Sequence, residues 1–297
     1  MNCSSVPLSI LRALAGCPHH SSPTAFGPAE NSPSDLICSA CGRAFPLRGG
    51  KAFFSEPPAD IDASEKVDPT DVSHWTAWRK NNFSYLEQRL SSEDPRKVLI
   101  DIGAGRASFR SITKGRFAAA IGVDFYPYEC VDVIADLTQF LPLIDQSGDI
   151  AVATNVLEHL PKPRILLREC YRILKPGGYI IGTVPFLISV HQEPYDFLRY
   201  TRYMLELMLH QAGFSRVSVE PLGTPLEVYA TMQRLFFDDA LASVAHNHKA
   251  GLSFDKATIR VARKAENLLL SVLRRITPLS GRSSTAYTEG YGFMGWK

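Results

Sequence analysis

Between residues 97 and 220 the chain alternates short apolar runs with helical segments, and few folds accommodate such a pattern. The helical segments are clearest at Pro163–Leu174 and Tyr203–Gly213, where apolar residues recur at helical spacing. Strands that alternate with helices predict a mostly parallel sheet with both faces covered. The apolar runs predicted as strands are Val98–Ile100, Ala118–Val123, Val131–Ala135, Ile150–Thr154, Tyr179–Val184 and Val217–Glu220.

The composition narrows the class of protein. With 297 residues, 45% of them hydrophobic and 21% charged, the chain is not mostly disordered or fibrous. A net charge of +2 gives no general argument for nucleic-acid binding. No apolar run approaches the ~18 residues of a membrane-spanning helix, and Leu14-Ala15-Gly16-Cys17 lacks the basic flank of a signal peptide. Six cysteines are too few for a disulfide scaffold, so we expect a cytoplasmic protein without integral membrane contact.

The first predicted strand runs into a glycine turn, Asp101-Ile102-Gly103-Ala104-Gly105. Glycines there let the backbone approach a ligand at the carboxyl end of the strand. Ser108 stands where a dinucleotide fingerprint has a third glycine, so the half-motif alone is weak. The negative charge of Asp101 would repel a pyrophosphate but suits a ligand that carries a positively charged ammonium and sulfonium group. That ligand is S-adenosylmethionine (SAM).

Acidic residues also follow the next two strands. Asp124 ends the second strand, where a carboxylate accepts from both ribose hydroxyls. Asp136-Leu137 follows the third strand, where the acid is placed to accept from the adenine amino group. A single acid at such a position is more often a helix cap or a solvated loop residue. Three acids at successive strand ends favour a SAM pocket.

These residues resemble the class I SAM-dependent methyltransferases, in particular those of the methyltransferase type 11 kind. The resemblance implies a Rossmann-like α/β fold with a seven-stranded sheet in the order 3-2-1-4-5-7-6, the last strand antiparallel. It also implies that the Asn155 region contacts the methionine part of SAM. Arg106 departs from the small residue common at its position. The motifs that carry the resemblance are Asp101–Gly105, Gly122–Asp124, Ala135–Leu137, Asn155–Leu160 and Ile173–Gly178.

The same resemblance organises the rest of the chain. Tyr287–Trp296 becomes the seventh strand, and residues 224–286 become a helical insertion with helices at Pro225–Ala245 and Phe254–Ile276. We therefore expect the methyltransferase domain at residues 95–297. Residues 56–94 are expected to form a linker and a leading helix, whose apolar residues are spaced along Val72–Leu90.

Residues 1–55 carry two candidate pairs of metal ligands. Cys38 and Cys41 are separated by two residues, and Cys17 and His20 form a second pair. Zinc takes four Cys or His ligands at such spacing. The segment resembles the small zinc ribbons found alone or ahead of methyltransferases, which usually have Cys where His20 stands; His19 is a possible substitute. The alternative is a degenerate ribbon with unligated cysteines.

The connection after the fifth strand carries the candidate acceptor site. It resembles a segment of methyltransferases from bacterial glycan and secondary-metabolite clusters. We predict His191 as the base, because an imidazole suits proton removal near pH 7, with Tyr195, Asp196 and Arg199 shaping the site. The alternative is structural: Asp196 and Arg199 pair at a helix start and Thr201 caps the helix. His159 is a further possible base, although a helix-packing role is the simpler interpretation.

The sequence thus favours a SAM-dependent methyltransferase that acts on a small-molecule or saccharide-type acceptor. One alternative is an RNA methyltransferase that uses the ribbon to contact RNA, for which the ribbon offers Arg43, Arg48 and Lys51. Another is a non-catalytic subunit that only binds SAM. The pocket acids argue against that second alternative.

Overall fold

The computed structural model describes residues 7–19, 26–28, 35–57, 75–106, 112, 115–246, 256–276 and 286–297. The helices in these ranges include α1 (Leu8–Leu14), α2 (Ala77–Leu90), α3 (Pro163–Ile173), α4 (Arg202–Ala212), α5 (Pro225–His246) and α6 (Lys256–Ile276). The strands are β1 (Phe26–Pro28), β2 (Asp35–Cys38), β3 (Ala44–Arg48), β4 (Lys51–Phe53), β5 (Val98–Ile102), β6 (Ala119–Asp124), β7 (Val133–Ile134), β8 (Gly148–Thr154), β9 (Leu174–Pro185), β10 (Arg216–Leu222) and β11 (Gly290–Trp296). A 3₁₀ helix spans Leu157–His159.

The strands form a single mixed sheet in the order β1-β2-β3-β4-β7-β6-β5-β8-β9-β11-β10. From β7 to β10 this is the predicted order 3-2-1-4-5-7-6. Strand β11 runs antiparallel to both β9 and β10, which confirms the predicted orientation of the last strand. The α/β Rossmann-like prediction is therefore confirmed.

The sheet is larger than the seven strands predicted, because the N-terminal segment adds four more. Strand β4 pairs parallel with β7, with Ala52 opposite Val133 and Phe53 opposite Ile134. Lys51 secures the junction: its Nζ donates to the backbone oxygens of Tyr128 and Val131 at 2.8 and 2.6 Å. The N-terminal segment therefore continues the sheet.

The observed strand boundaries differ from the predicted ones by one to five residues, and two of these differences have a clear cause in the backbone pairing. Strand β9 begins earlier, at Leu174, because Leu174 already pairs with Gly148 before a register shift in the ladder. Strand β7 is shorter than Val131–Ala135, since Val131 closes a turn by donating to the Tyr128 carbonyl. Both differences arise from backbone pairing, which apolar patterning does not specify.

Local signals explain where the helices that flank the site begin and end. The Thr76 side chain accepts from the Arg79 N–H and caps α2. Thr201 accepts from the Met204 N–H and caps α4, so the capping role considered for Thr201 is confirmed. Gly213, at φ +116°, ends α4 in the left-handed conformation that glycine adopts easily.

The central strands are mostly apolar. Leu99, Ile100 and Ile102 of β5 are all fully buried, as expected for a strand covered on both faces. Helices α5 and α6 contact each other, and Arg263 pairs with Asp238 between them at 2.8 Å. Among the helices that the structure describes, none is long and apolar enough to cross a membrane.

Candidate active site

The glycine turn at the end of β5 requires its glycines. Gly103 has φ +66°, and a Cβ there would lie 2.4 Å from Val156 Cγ2. Gly105 has φ +54° and donates its N–H to Asp124 Oδ2 at 2.8 Å. This bond holds the turn against the end of β6. The turn thus brings its backbone close to the strand-end carboxylate.

Asp124 is buried, with 8% of its surface exposed. Its Oδ1 accepts from the Tyr126 N–H at 3.0 Å. Burial raises the pKa of Asp124, and the backbone N–H groups of Tyr126, Gly105 and Phe125 oppose that rise. The carboxylate keeps acceptor capacity beyond these bonds, because a carboxylate has about four lone-pair sites. Its contact with ribose stays a prediction.

Asp101 lies in the middle of the sheet, opposite Gly122 of β6 and Val152 of β8. It is 9% exposed. Gly122 has no room for a side chain, since a Cβ there would lie 2.4 Å from the Cys130 carbonyl oxygen. Asp101 is therefore a buried residue of a central strand, two residues before the first glycine of the turn.

Asp136 and Leu137 lie beyond β7. The Asp136 carboxylate accepts from the Thr138 N–H and hydroxyl at 2.8 and 2.7 Å, and from Gln139 Nε2 at 2.7 Å. The acid thus stabilises its own turn, as strand-end acids often do. Leu137 is buried in the main core. The predicted contact of this pair with adenine stays a prediction.

Asn155 follows β8 with φ +52° and donates its N–H to the Thr183 oxygen at 2.9 Å. Its Oδ1 lies 3.5 Å from Asn82 Nδ2. Asn82, on α2, is fully buried, and its own Oδ1 accepts no hydrogen bond among the described residues. Sequence reasoning missed Asn82, although a polar residue between Trp78 and Leu86 on an apolar stripe was a visible signal. Helix α2 thus supplies a polar group next to the Asn155 region.

The connection between β9 and α4, which we call the acceptor segment, is arranged around the Asp196 carboxylate. Arg199 binds it in bidentate fashion, with N···O distances of 2.5 and 2.7 Å, and holds the pKa of Asp196 well below its usual range. Asp196 Oδ2 also accepts from the His191 N–H at 2.9 Å and lies 3.3 Å from His191 Nδ1. The pairing of Asp196 with Arg199 is therefore observed. It lies in the loop before α4, since that helix begins only at Arg202.

His191 and His159 meet at this edge of the sheet, with ring centroids 5.1 Å apart. His159 Nδ1 contacts the Tyr195 backbone oxygen at 2.7 Å, whereas the Tyr195 side chain is 45% exposed. The nearby Glu158 carboxylate raises the pKa of His191; partial burial opposes this, and Ser189 and Asp196 reinforce it. The structure thus brings together His191, Asp196 and Arg199, and Tyr195 contributes its backbone.

Residues 100–182 match a family model described as a methyltransferase domain. These residues include the glycine turn, Asp124, Asp136 and Asn155. The chain contains a class I SAM-dependent methyltransferase domain.

Curated relatives share part of this methyltransferase domain. An uncharacterized methyltransferase of Mycobacterium bovis is 33% identical over 96 residues, which are 29% of this chain and 38% of that protein. A ubiquinone biosynthesis O-methyltransferase of Pseudomonas entomophila is 24% identical over 39% of this chain and 53% of its own length. The chain thus spans about half or less of these relatives. A SAM-dependent methyltransferase structure from Archaeoglobus fulgidus, at 20% identity, covers 72% of this chain and 92% of its own with a TM-score of 0.45.

Ahead of the methyltransferase domain, three cysteines converge. Sulfur atoms of Cys17, Cys38 and Cys41 lie within 4.8 Å of one another, and those of Cys17 and Cys41 are 3.9 Å apart. Burial opposes ionisation of Cys38, but the backbone N–H groups of Cys41 and Ala40 and the neighbouring thiols outweigh it and lower its pKa to about 7. The predicted ligand His20 lies outside the described residues. His19 Nε2 is 3.0 Å from Arg43 Nη1.

Glu289, which precedes β11, is a second polar group that sequence reasoning missed. It is 1% exposed, and its carboxylate accepts from Asn81 Nδ2 at 3.1 Å and Thr231 Oγ1 at 3.2 Å. Burial, reinforced by the Glu227 charge, raises its pKa to about 7. Glu289 thus connects helix α2, the insertion and the methyltransferase sheet.

The raised pKa of Glu289 predicts a pH-dependent stability. Between the ordinary pKa of 4.5 and about 7, the folded chain keeps a proton that the unfolded chain has lost, so stability falls as the pH rises through this window. Glu289→Gln removes the titration and keeps the shape. Relative to the Tm of the unmodified chain, we expect the Tm of the variant to be a few degrees higher at pH 8 than at pH 5. Thermal unfolding of both proteins at both pH values measures this change. A Tm difference that is the same at pH 5 and pH 8 would contradict the raised pKa of Glu289.

Proposed function

We propose that the protein transfers a methyl group from SAM to a small-molecule or saccharide-type acceptor, in the cytoplasm. The observation that carries the proposal is the glycine turn bonded to the buried Asp124 within the matched methyltransferase domain. The sulfonium of SAM supplies an electrophilic methyl group. The chain has to bind SAM and align an acceptor with that methyl group, since displacement depends chiefly on alignment.

Each strand end has a proposed task in binding SAM. Asp101 attracts the positively charged methionine part, while Gly103 and Gly105 let the backbone approach it. Asp124 accepts from the ribose hydroxyls. The remaining contacts, with the adenine and the methionine part, are assigned to Asp136, Leu137 and Asn155.

On the acceptor side we propose His191 as the group that takes a proton from an oxygen or nitrogen acceptor. Asp196 positions the imidazole, since it bonds the His191 N–H and lies 3.3 Å from Nδ1. Arg199 in turn fixes Asp196. Tyr195 shapes the rim of the site, where its side chain is exposed.

The basic residues of the N-terminal segment favour a small acceptor over RNA. Lys51 donates to backbone oxygens of the methyltransferase domain, so its charge is not directed at an external phosphate. Arg48 lies 3.7 Å from Glu56, and Arg43 contacts His19. Phosphate binding requires cations that are available to neutralise it. The retained SAM-pocket residues likewise favour an enzyme over a non-catalytic subunit.

We also propose that Cys17, Cys38 and Cys41 hold a structural zinc ion, with His20 as the fourth ligand. Ligands about 2.3 Å from one zinc ion in a tetrahedral site are roughly 3.8 Å apart. The sulfur separation of 3.9 Å between Cys17 and Cys41 fits this spacing. A closed site of four protein ligands stabilises its loops and takes no part in catalysis.

Elemental analysis of protein purified without chelator should find about one zinc per chain in this ribbon-like site. Cys38→Ser should lose the zinc, because it removes one of the two thiolates of the Cys38 and Cys41 pair. Cys170→Ser is the matched control, since Cys170 is buried in the main core, away from the cluster. A zinc content in Cys38→Ser equal to that of the unmodified chain would contradict the site. Loss of zinc from Cys38→Ser but not from His20→Ala would move the fourth ligand to His19 or another group.

The acceptor class is tested with methyl-labelled SAM and a fractionated cell extract. Label in small metabolites or saccharides supports the proposal. Label in RNA would favour the alternative methyltransferase, and no transfer despite SAM binding would favour the non-catalytic subunit. Boiled protein and the Gly103→Val variant are controls, since any side chain at Gly103 collides with Val156.

A further inference from the structure

Glu158 is a buried acid without the partners that a buried acid needs. It is fully buried, and neither carboxylate oxygen has a hydrogen-bond partner within the described ranges. Leaving a charged carboxylate away from water and from donors is costly, so such a group calls for an explanation. The backbone around it is fixed: Phe197 and Leu198 donate their N–H groups to the Glu158 backbone oxygen at 2.9 and 3.2 Å.

Two imidazoles face this carboxylate. His159 Nε2 lies 3.7 Å and His191 Nε2 lies 3.9 Å from the same oxygen, Oε1 of Glu158. Both distances are too long for hydrogen bonds. Ligands about 2.1 Å from one metal ion are roughly 3.0–3.4 Å apart, so small side-chain rotations bring these atoms to a common ion. One ligand atom from each residue lies within 4.8 Å of the other two.

The other nitrogen of each ring contacts an acceptor. His159 Nδ1 lies 2.7 Å from the Tyr195 carbonyl oxygen, and His191 Nδ1 lies 3.1 Å from the Ser189 carbonyl oxygen. Carbonyl oxygens only accept, so each neutral ring carries its proton on Nδ1 and a lone pair on Nε2. The Asp196 carboxylate, 3.3 Å from His191 Nδ1, adds to this arrangement. A carboxylate or carbonyl behind a histidine is the usual way in which proteins orient a metal ligand.

We propose that Glu158, His159 and His191 bind a divalent transition-metal ion such as Mn²⁺, Fe²⁺, Co²⁺ or Zn²⁺. Two imidazoles and one carboxylate are the donor set that such ions share. Three protein ligands leave at least one coordination position for an oxygen atom from outside the chain. The ligands follow β8 and β9, at the carboxyl edge where ligand crevices of α/β sheets lie.

The metal assignment also specifies the acceptor, and this part rests on the proposed methyl transfer. An acceptor with a hydroxyl or phenolic oxygen can occupy the remaining coordination position and be aligned with the methyl group. In this assignment Nε2 of His191 binds the metal ion and does not take a proton from the acceptor. His191 would then position the acceptor through the ion.

The test is a Mn²⁺ titration of the full-length chain, followed by the loss of the free-ion electron paramagnetic resonance signal. Mn²⁺ suits oxygen and nitrogen ligands and is a poor match for the cysteine cluster. We expect one saturable site in the unmodified protein and an affinity at least about 100-fold lower in Glu158→Gln and His191→Gln, since changes at supporting residues alone cost 10–100-fold. Glu193→Gln and His210→Gln, which change exposed residues outside the cluster, should bind Mn²⁺ like the unmodified chain.

SAM binding measured by calorimetry on the same samples separates the two proposals. Glu158→Gln and His191→Gln should bind SAM with unchanged affinity, which also shows that they fold; if Glu158→Gln does not fold, the half-buried His191 variant carries the test. Equal Mn²⁺ binding by variants and controls, or no binding of Mn²⁺, Co²⁺ or Zn²⁺ beyond the cysteine cluster, overturns the metal site. Absent SAM binding with intact Mn²⁺ binding overturns the proposed methyl transfer and leaves the metal site standing.

Discussion

Asp124→Ala and Asp101→Ala are each expected to weaken SAM binding by at least about 1–3 kcal/mol, the usual loss when a hydrogen bond to a charged group is removed. Asp124 acts on the ligand and on the pocket together, because its carboxylate also accepts from the Gly105 N–H at 2.8 Å. Isothermal titration calorimetry with SAM measures the affinity of each variant. Asp124→Asn retains an acceptor oxygen for the turn and should lose less affinity than Asp124→Ala.

Asp94→Ala is the matched control for the two acid variants. Asp94 lies before β5, at the other end of that strand, and pairs with Arg96. Its removal should leave SAM affinity unchanged. Unchanged affinity in both Asp101→Ala and Asp124→Ala would contradict the assignment of the strand-end acids to SAM.

His191→Ala is expected to lower turnover by about 10²–10⁴ at saturating SAM, once an acceptor is known. SAM affinity should not change, because His191 lies in the acceptor segment and not among the residues assigned to SAM. Turnover also falls if His191 instead holds a metal ion that aligns the acceptor. Initial rates with labelled SAM measure the turnover, and calorimetry measures the SAM affinity.

His210→Ala controls for the loss of an imidazole at another position, in the last turn of α4. Among the described hydrogen bonds, the His210 side chain contacts only the Phe214 carbonyl oxygen, at the end of α4. Turnover in this variant should match that of the unmodified chain. A loss of less than about fivefold in His191→Ala would make His191 a structural residue and leave alignment as the whole mechanism.

The core of the fold could be predicted because its signals are local. Apolar runs such as Ile150–Thr154 and the helical spacing of Pro163–Leu174 depend on residues close together in sequence. The order of the strands came from the family resemblance and agrees with the structure. The pairing of β4 with β7 could not be predicted in this way, since a three-residue strand and a two-residue strand carry too little pattern to identify each other.

In the candidate site, too, only the residues with a local sequence signal could be predicted. Asp101, Asp124 and Asn155 could be proposed from the sequence because each stands at the end of a recognisable apolar run. Asn82 and Glu158 were missed as functional groups, because their importance comes from the groups that face them across the fold. Nothing in the local sequence of Glu158 indicates that His191 approaches it from a distant loop.

The continuation of the sheet through β4 has a consequence for the behaviour of the chain in a crowded solution. An exposed edge strand offers unpaired N–H and C=O groups to any other extended chain and so invites aggregation. Here β4 occupies the open side of β7, and β1 (Phe26–Pro28), the outermost of the described strands on that side, is short and ends in a proline. Short edge strands and prolines are means by which natural sheets discourage further pairing. The N-terminal segment therefore shields the methyltransferase sheet from self-association, whether or not its cysteines bind zinc.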